Sequence, residues 1–270
     1  MNGGQNKQPL GYTIIEVMIV LAISGVMFLI ASTVIGGKQE QSSFTSGVND
    51  MASDLQDVVE QVTDGRYSDV PISCSWSGSG SVTIGAATGV TQGSNAYCVF
   101  LGKLLYFPGL TPGTPVENYQ VLSVAGGQTE LGSNLLTSLD ATGPKVATEL
   151  TTTQGTSQSL DVSKITINNG VVGGKTAFGF IQSLGTTTTS GGTTVLQSGA
   201  QNVGLYYVNG GDPTTENLAG KLIAASSVDL CMTDEKRYAD VILGPDGSAT
   251  NNGSSGQLSV NIKMDGETPC

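Results

Sequence analysis

The carboxylate of Glu16 lies inside an apolar segment, and this is the most unusual chemical feature of the sequence. Residues 12–35 contain no other charged side chain. A run of about 20 apolar residues is long enough to cross the hydrocarbon core of a bilayer as a helix. An ionisable side chain in such a span disfavours insertion, so its presence indicates a function. The alternative is an ordinary signal anchor that tolerates a carboxylate near the membrane surface.

The four cysteines offer a second kind of chemistry, which is disulfide formation. Their number is even, and an exported chain with an even number of cysteines is typical of a disulfide-bonded domain. We expect the pairs Cys74–Cys98 and Cys231–Cys270, because each closes the shorter local loop. The other two pairings remain open. The spacings are too wide for the Cys-x-x-Cys pattern of zinc or redox sites.

The sequence is poor in residues for other catalytic chemistry. It has no histidine, which excludes His-based triads and the commonest zinc ligand and general base. Neighbouring acids occur as Asp64/Asp69, Asp212/Glu216 and Asp234/Glu235. We interpret them as exposed loop acids, and residues 212–217 have too few acids for a complete calcium loop. We therefore expect no enzymatic activity, no cofactor and no metal.

The length and composition of the chain indicate its domain organisation and its cellular compartment. It has 270 residues and a formal net charge of −11. This length allows a membrane helix plus one globular domain of about 200 residues. The acidic balance argues against bulk binding to phosphate backbones. Abundant Gly with sparse charge suits an extracytoplasmic, β-rich domain with long loops.

A helical pattern continues beyond the apolar segment. Apolar residues recur at spacings of three and four, at Phe44, Val48, Met51, Leu55, Val58 and Val62. This stripe predicts that one helix extends to about Thr63 and stops at Asp64-Gly65. We expect its apolar face to pack on the chain's own sheet. The alternative is a coiled-coil seam between subunits.

Beyond Pro71 the pattern is typical of short strands. We predict strands at 97–101 with 103–107, 118–124, 165–167, 177–181, 203–208, 228–232, 238–243 and 258–264. Asn168-Asn169-Gly170 predicts a hairpin into Val171. A short helix is predicted within residues 134–150. No structure is assigned to the Gly/Ser/Thr-rich stretches 77–95, 151–159 and 183–201.

These elements predict an α+β chain in which one long N-terminal helix packs on an antiparallel sheet domain. We divide the chain into a leader at 1–11, an apolar helix at 12–36, an amphipathic continuation at 37–65 and a globular domain at 66–270.

The order of residues around Gly11 resembles a known signal. Gly11 is followed by an aromatic residue (Tyr12), a hydroxyl residue (Thr13), two isoleucines and Glu16, which opens the apolar helix. This order is similar to the class III signal of type IV prepilins and type II secretion pseudopilins. The chain departs from the family in having Tyr12 where Phe is usual. Thr33 lies near the usual place of a helix-breaking proline.

The resemblance implies specific processing. A membrane prepilin peptidase would cut between Gly11 and Tyr12 and methylate the new amino group of Tyr12. The resemblance also implies a type IV pilin-like fold. It implies that Glu16 is buried among apolar helices of a filament and is paired with the amino terminus of a neighbouring subunit.

The function that follows is structural. We expect a subunit, a minor pilin or a pseudopilin, of a type IV pilus or a type II secretion-like filament. Its partners would be the prepilin peptidase, other pilin subunits and the cytoplasmic membrane. The leader would be cytoplasmic and the globular domain extracytoplasmic, before assembly into an extracellular or periplasmic filament. The alternative is a membrane-anchored binding or enzymatic domain that uses residues 12–35 as a plain anchor.

Overall fold

The computed structural model describes most of the chain outside the leader and several polar loops. The described residues are 13–65, 72–77, 81–86, 98–111, 113–127, 139–157, 160–168, 170–171, 176–182, 187–190, 193–196, 203–215, 217–245 and 258–266. The chain divides into two compact units, Met1–Thr45 and Ser46–Cys270.

A single long helix, α1, runs from Ile14 to Thr63. It continues through Gly36 and Gly37 and ends at the predicted residue. The N–H of Asp64 donates to the Glu60 carbonyl at 2.8 Å, and the N–H of Gly65 donates to the Val62 carbonyl at 3.1 Å. Gly65 has a φ of 67°, a left-handed conformation that glycine adopts without strain. This turn closes the helix.

The described residues after the helix form mostly β-strands. The strands are β1 (Ile72–Ser77), β2 (Ser81–Ala86), β3 (Cys98–Tyr106), β4 (Asn118–Gly127), β5 (Lys145–Gly155), β6 (Asp161–Ile167), β7 (Gly170–Val171), β8 (Ala177–Gln182), β9 (Thr187–Ser190), β10 (Thr193–Leu196), β11 (Val203–Val208), β12 (Leu222–Ala224), β13 (Val228–Thr233), β14 (Tyr238–Pro245) and β15 (Leu258–Gly266).

Two larger sheets organise these strands. One has six strands in the order β12-β11-β8-β3-β4-β5, and the other has five in the order β15-β14-β13-β6-β7. The hairpins β1-β2 and β9-β10 form two small sheets. Strand pairs within these sheets are antiparallel. An N-terminal helix followed by antiparallel sheets confirms the α+β prediction.

Part of α1 supplies one layer of the core of the second unit. All six residues of the predicted stripe are buried, and five of them lie in this unit, namely Val48, Met51, Leu55, Val58 and Val62. Burying each large aliphatic side chain contributes about 1.5–3 kcal/mol. Since residues 46–63 bury this face within their own chain, the prediction of packing on the chain's own sheet is confirmed over a coiled-coil seam.

An aromatic row in the six-stranded sheet lies beneath this part of the helix. The ring of Phe107 stacks on Tyr119, with centroids 5.6 Å apart, and on Phe178, at 6.0 Å. Phe178 meets Phe180 edge to face at 6.5 Å. All four rings are essentially inaccessible to solvent. They are large, rigid groups that form a firm surface for the helix.

Polar contacts join the helix to this sheet at defined positions. The Tyr119 hydroxyl lies 3.0 Å from Asp54 Oδ2 on α1 and 2.6 Å from Gln154 Oε1 on β5. Gln182 Nε2 donates to the Val62 carbonyl at 2.6 Å. A stripe of similar aliphatic residues would tolerate a slide of one helical turn, whereas these contacts would break. They therefore fix the axial register of the helix on the sheet.

The close contact between β3 and β8 at the centre of the sheet requires glycine, as Gly102 shows. The strand predicted in two parts, 97–101 and 103–107, is one strand with an irregular register between Phe100 and Gly102. A Cβ at Gly102 would lie 2.0 Å from the Phe180 carbonyl oxygen. Any side chain at this position would push β3 away from β8.

The structure contains a disulfide between Cys74 and Cys98, with Cα atoms 5.3 Å apart. It ties β1 to the first residue of β3. Cys231 is also disulfide-bonded. Its predicted partner, Cys270, lies outside the described residues.

Predictions for the polar stretches were incomplete. The short helix predicted within residues 134–150 is wrong for its described part: Asp140–Thr142 form one 3-10 turn, and β5 begins at Lys145. Val146 and the threonines after it are β-formers that pair with β4, which explains the strand. Strands β2, β9, β10 and the end of β5 fall in stretches to which no structure was assigned.

We predict that Tyr119→Phe lowers the free energy of unfolding by about 1–3 kcal/mol, because Asp54 and Gln154 lose their shared donor. Burial and the Asp54 charge raise the pKa of Tyr119 in the folded state. Its contribution is therefore present below about pH 10 and lost as the pH rises further. Denaturant titrations at neutral and alkaline pH measure both effects. Tyr206→Phe is the control, and equal stability of the two variants would contradict the register role.

We also predict that replacing Cys74 and Cys98 together with serine lowers the free energy of unfolding by about 2–4 kcal/mol, because the unfolded chain gains freedom. Denaturation curves measured without reducing agent test this change.

We also predict that peptide mapping without reduction finds Cys231 linked to Cys270. A peptide containing Cys231 joined to Cys74 or Cys98 would show that the expected pairing is wrong.

Candidate functional site

The described part of the candidate site begins at Thr13, which caps helix α1. The Thr13 carbonyl accepts the N–H of Val17 at 3.2 Å, and its hydroxyl accepts the N–H of Glu16 at 3.4 Å. Thr13 and Glu16 stand in the Thr-x-x-Glu spacing of a capping box. The hydroxyl residue of the motif therefore has a local role, which is to start the helix directly after the predicted cleavage point.

The first turns of α1 are apolar on every side. Within the described residues, Ile14–Ala31 form one helix that is long and apolar enough to cross a membrane, and none of this window is buried in the chain. The exposed fraction is 80% for Ile14 and 73% for Phe28. Ser24, a polar residue of this segment, donates its hydroxyl to the Val20 carbonyl at 2.7 Å. A helix with apolar side chains all round requires lipid or other helices around it.

The Glu16 carboxylate is placed at the amino-terminal turn of this helix. It is exposed, and no group in the described part of the chain forms an ion pair or hydrogen bond with it. The helix dipole favours a negative charge at this end, but only by about 0.3–1 kcal/mol. Once this turn enters an apolar environment, the carboxylate needs a positively charged or hydrogen-bonding partner from outside the described residues.

The remaining predicted site residues divide into two groups. Gly11 and Tyr12, the expected cleavage and methylation positions, lie outside the described residues. Cys74 and Cys98 are bonded to each other, and Cys231 is bonded, as described above. These cysteines belong to the second unit, whereas Glu16 belongs to the first. The Cys74–Cys98 bond joins strand β1 to strand β3.

In the described part of the second unit, an open cleft of about 400 Å³ is lined by Pro108, Pro115, Val116, Glu117, Asn118 and Asp161. Burial, followed by the charges of Glu117 and Glu235, raises the pKa of the Asp161 carboxyl. In the described part of the chain no group of three or more acidic, cysteine or histidine side chains is placed to hold a metal ion. The cleft therefore has acidic character without a recognisable reaction centre.

The acids singled out in the sequence are used mainly in turns. Asp212 Oδ1 accepts the N–H of Thr214 at 2.8 Å and its hydroxyl at 2.6 Å. Asp234 Oδ1 accepts the N–H groups of Lys236 at 3.1 Å and Arg237 at 2.7 Å. Such bonds are the usual role of Asp in turns.

Sequence reasoning missed a cluster in the second unit. Lys103 on β3 bonds to the Oε1 atom of Gln61, and Gln61 Nε2 donates to Asp57 Oδ2 at 2.5 Å. The only signal in the sequence was a lysine within a dense apolar run, 97–107, where a charge is unexpected.

Comparison with known proteins identifies the N-terminal segment. Residues 7–32 match the family model of the prokaryotic N-terminal methylation motif. No curated protein and no solved structure matches the chain. The matched residues include Gly11, Thr13 and Glu16, which are the residues that form or flank the helix start. The chain thus carries the N-terminal methylation motif that is characteristic of the class III signal peptides of type IV prepilins and pseudopilins.

Proposed function

We propose that this chain is a structural subunit, a minor pilin or pseudopilin, of a type IV pilus or a type II secretion-like filament. The observation that carries the proposal is a helix with apolar side chains exposed on all sides, headed by the methylation motif. Such a helix needs two apolar environments in turn. The first is the cytoplasmic membrane, and the second is the core of a filament built from similar helices.

Processing by a prepilin peptidase separates these two states. The enzyme cuts after Gly11, and the new amino group of Tyr12 is methylated. Removal of the polar leader, which contains Lys7, leaves an apolar helix with a single positive charge at its end. This end can leave the membrane surface and enter a filament core, which a longer polar leader would prevent.

The Glu16 carboxylate and the Tyr12 ammonium are complementary groups in this scheme. Each would be expensive to bury alone, and an unpaired buried charge costs several kcal/mol. If helices of neighbouring subunits are offset by a few residues, Glu16 of one meets the amino terminus of the next. The pair then selects one axial offset over others, so it acts as a register device more than as a source of net stability.

The second unit would be the part of the subunit that faces outwards. Its sheets, its disulfide and its acidic surface suit an extracytoplasmic domain, before assembly and in the filament. We propose no enzymatic activity, cofactor or resident metal for it. Its fold, a helix packed on an antiparallel sheet, supports the proposal of a pilin-like architecture.

We predict that Gly11→Arg blocks processing, because a large charged side chain replaces the residue before the cut. Mass spectrometry of the N-terminal peptide from membranes should show a wild-type chain that starts at Tyr12 with a methylated amine. The variant should retain the complete leader. Gly25→Ala is a matched control, because no atom lies within 4 Å of a Cβ at that position.

An intact Met1 terminus on the wild-type protein, in cells that have an active prepilin peptidase, would contradict this function. That result would favour the alternative, in which residues 12–35 are a permanent anchor for an extracytoplasmic binding or enzymatic domain.

We predict that Glu16→Leu leaves membrane insertion intact but reduces the filament-associated fraction at least about tenfold, since a loss of more than about 1.4 kcal/mol in the correct contact has this effect. Glu16→Gln should be impaired in the same direction. The measurement compares the subunit in membranes and in sheared filaments, with Ser24→Ala as the control. Equal incorporation of Glu16→Leu and wild type would show that the charge pair is not needed.

A further inference from the structure

Lys103 occupies an unusual position for a lysine. It lies on β3, in the interior of the six-stranded sheet, where it is paired with Phe180 on β8 and with Ser123 on β4. Phe180 and Ser123 are both buried, and Lys103 itself is partly buried. Directly paired residues of antiparallel strands point to the same face, so the lysine stem lies between these two side chains beneath the helix.

The head of Lys103 meets an amide that is held from both ends. Its Nζ bonds to the carbonyl oxygen of Gln61 on α1. The amide nitrogen of Gln61 donates in turn to Asp57 Oδ2 at 2.5 Å, one turn earlier on the helix. An amine, a carboxamide and a carboxylate are therefore aligned in that order. The amine contacts the carbonyl oxygen, one bond away from the electrophilic carbon Cδ, and the carboxylate is at the nitrogen that would leave.

The Lys103 amine is shifted towards its neutral form, which is the form that can attack a carbonyl carbon. Burial lowers the pKa of the Lys103 amine, and the Asp57 charge opposes this only in part. A larger fraction of the amine is consequently neutral than for a lysine in water. A neutral amine within contact distance of a fixed carbonyl is the arrangement in which an intramolecular reaction gains most from proximity.

We propose that Lys103 and Gln61 form an intramolecular isopeptide bond, with Asp57 as the proton-transferring group. The Lys103 Nζ attacks Gln61 Cδ, and a bond forms between these atoms. Asp57 accepts one proton from Nζ and delivers it to Gln61 Nε2. The Cδ–Nε2 bond then breaks, ammonia leaves, and Asp57 returns to its carboxylate form. The reaction needs no oxidant, cofactor or second protein.

The position of the leaving group favours completion of the reaction. Asp57 is exposed, so ammonia released beside it escapes to solvent. The product is a secondary amide that joins the helix to the central strand across 42 residues of chain. This cross-link would reinforce the contact between α1 and the sheet, which is otherwise held by apolar packing and by the hydrogen bonds of Tyr119 and Gln182. It is independent of the proposed filament function.

The test is the mass of the purified full-length protein after denaturation and complete reduction of disulfides. We expect a mass that is lower by one ammonia molecule than that of the same chain, with the same N-terminus, without this bond. Trypsin cuts after Lys38, Arg66 and Lys145, so the fragments 39–66 and 67–145 should be recovered as one branched peptide with no cut after Lys103. Fragmentation of that peptide should place the branch between Gln61 and Lys103.

Variants separate this chemistry from a structural role. Lys103→Arg keeps the charge and the hydrogen bond but should abolish the branched peptide. Asp57→Asn should slow its formation about 100-fold or more, as expected for loss of general acid–base catalysis. Lys164→Arg, a change at another partly buried lysine, should leave it unchanged.

The wild-type protein decides the proposal even if a variant fails to fold. The proposal is wrong if, after prolonged incubation at mildly alkaline pH, fragment 39–66 is recovered as a separate peptide and trypsin cuts after Lys103. A branch that has lost water, between Asp57 and Lys103, would also overturn it, since Gln61 would then not be the acceptor.

Discussion

The contact between residues 46–63 of helix α1 and the six-stranded sheet is the interaction on which the globular unit depends. Without the buried faces of Val48, Leu55 and Val62, the sheet would expose its aromatic row to water. The apolar contact alone supplies affinity but little specificity. Polar contacts from Asp54 and Gln61 to the sheet then select one register. The register of α1 on the sheet in turn constrains the positions of the neighbouring strands.

The same helix combines two kinds of surface within one continuous element. From Ile14 to Ala31 the side chains are apolar on all sides and remain uncovered by the chain, whereas from Ser46 onwards one face is buried and the other is polar. A helix of the first kind satisfies its backbone hydrogen bonds internally, so it is stable in lipid or among other helices. In the proposed function, the apolar first part of α1 packs in the filament core, and the amphipathic second part carries the globular domain that faces outwards.

Sequence reasoning worked best where a physical period was strong. The 3-4 stripe predicted both the buried face of α1 and its end at Asp64 and Gly65. The strand at Val203–Val208 was predicted at its observed bounds, and Tyr238 and Leu258 both begin strands as expected. The stripe of α1 and the strands that begin at Val203 and Tyr238 bury apolar residues at regular intervals. The methylation motif was equally clear, because its residue types follow in a fixed order.

Prediction failed where pairing partners, not local pattern, decide the structure. The strands rich in Thr and Ser, such as Thr187–Ser190, carry no apolar alternation, and only their neighbours in space specify them. The cluster of Asp57, Gln61 and Lys103 joins residues about 40 positions apart, which no local spacing reveals.

In the proposed function, the apolar helix of one subunit packs against the same helix of other subunits. The most direct test of this packing is a photo-reactive amino acid in place of Val17, activated in the sheared filament fraction. We expect cross-links to the N-terminal peptide of a neighbouring pilin subunit, whereas adducts with lipid alone would contradict the proposed function.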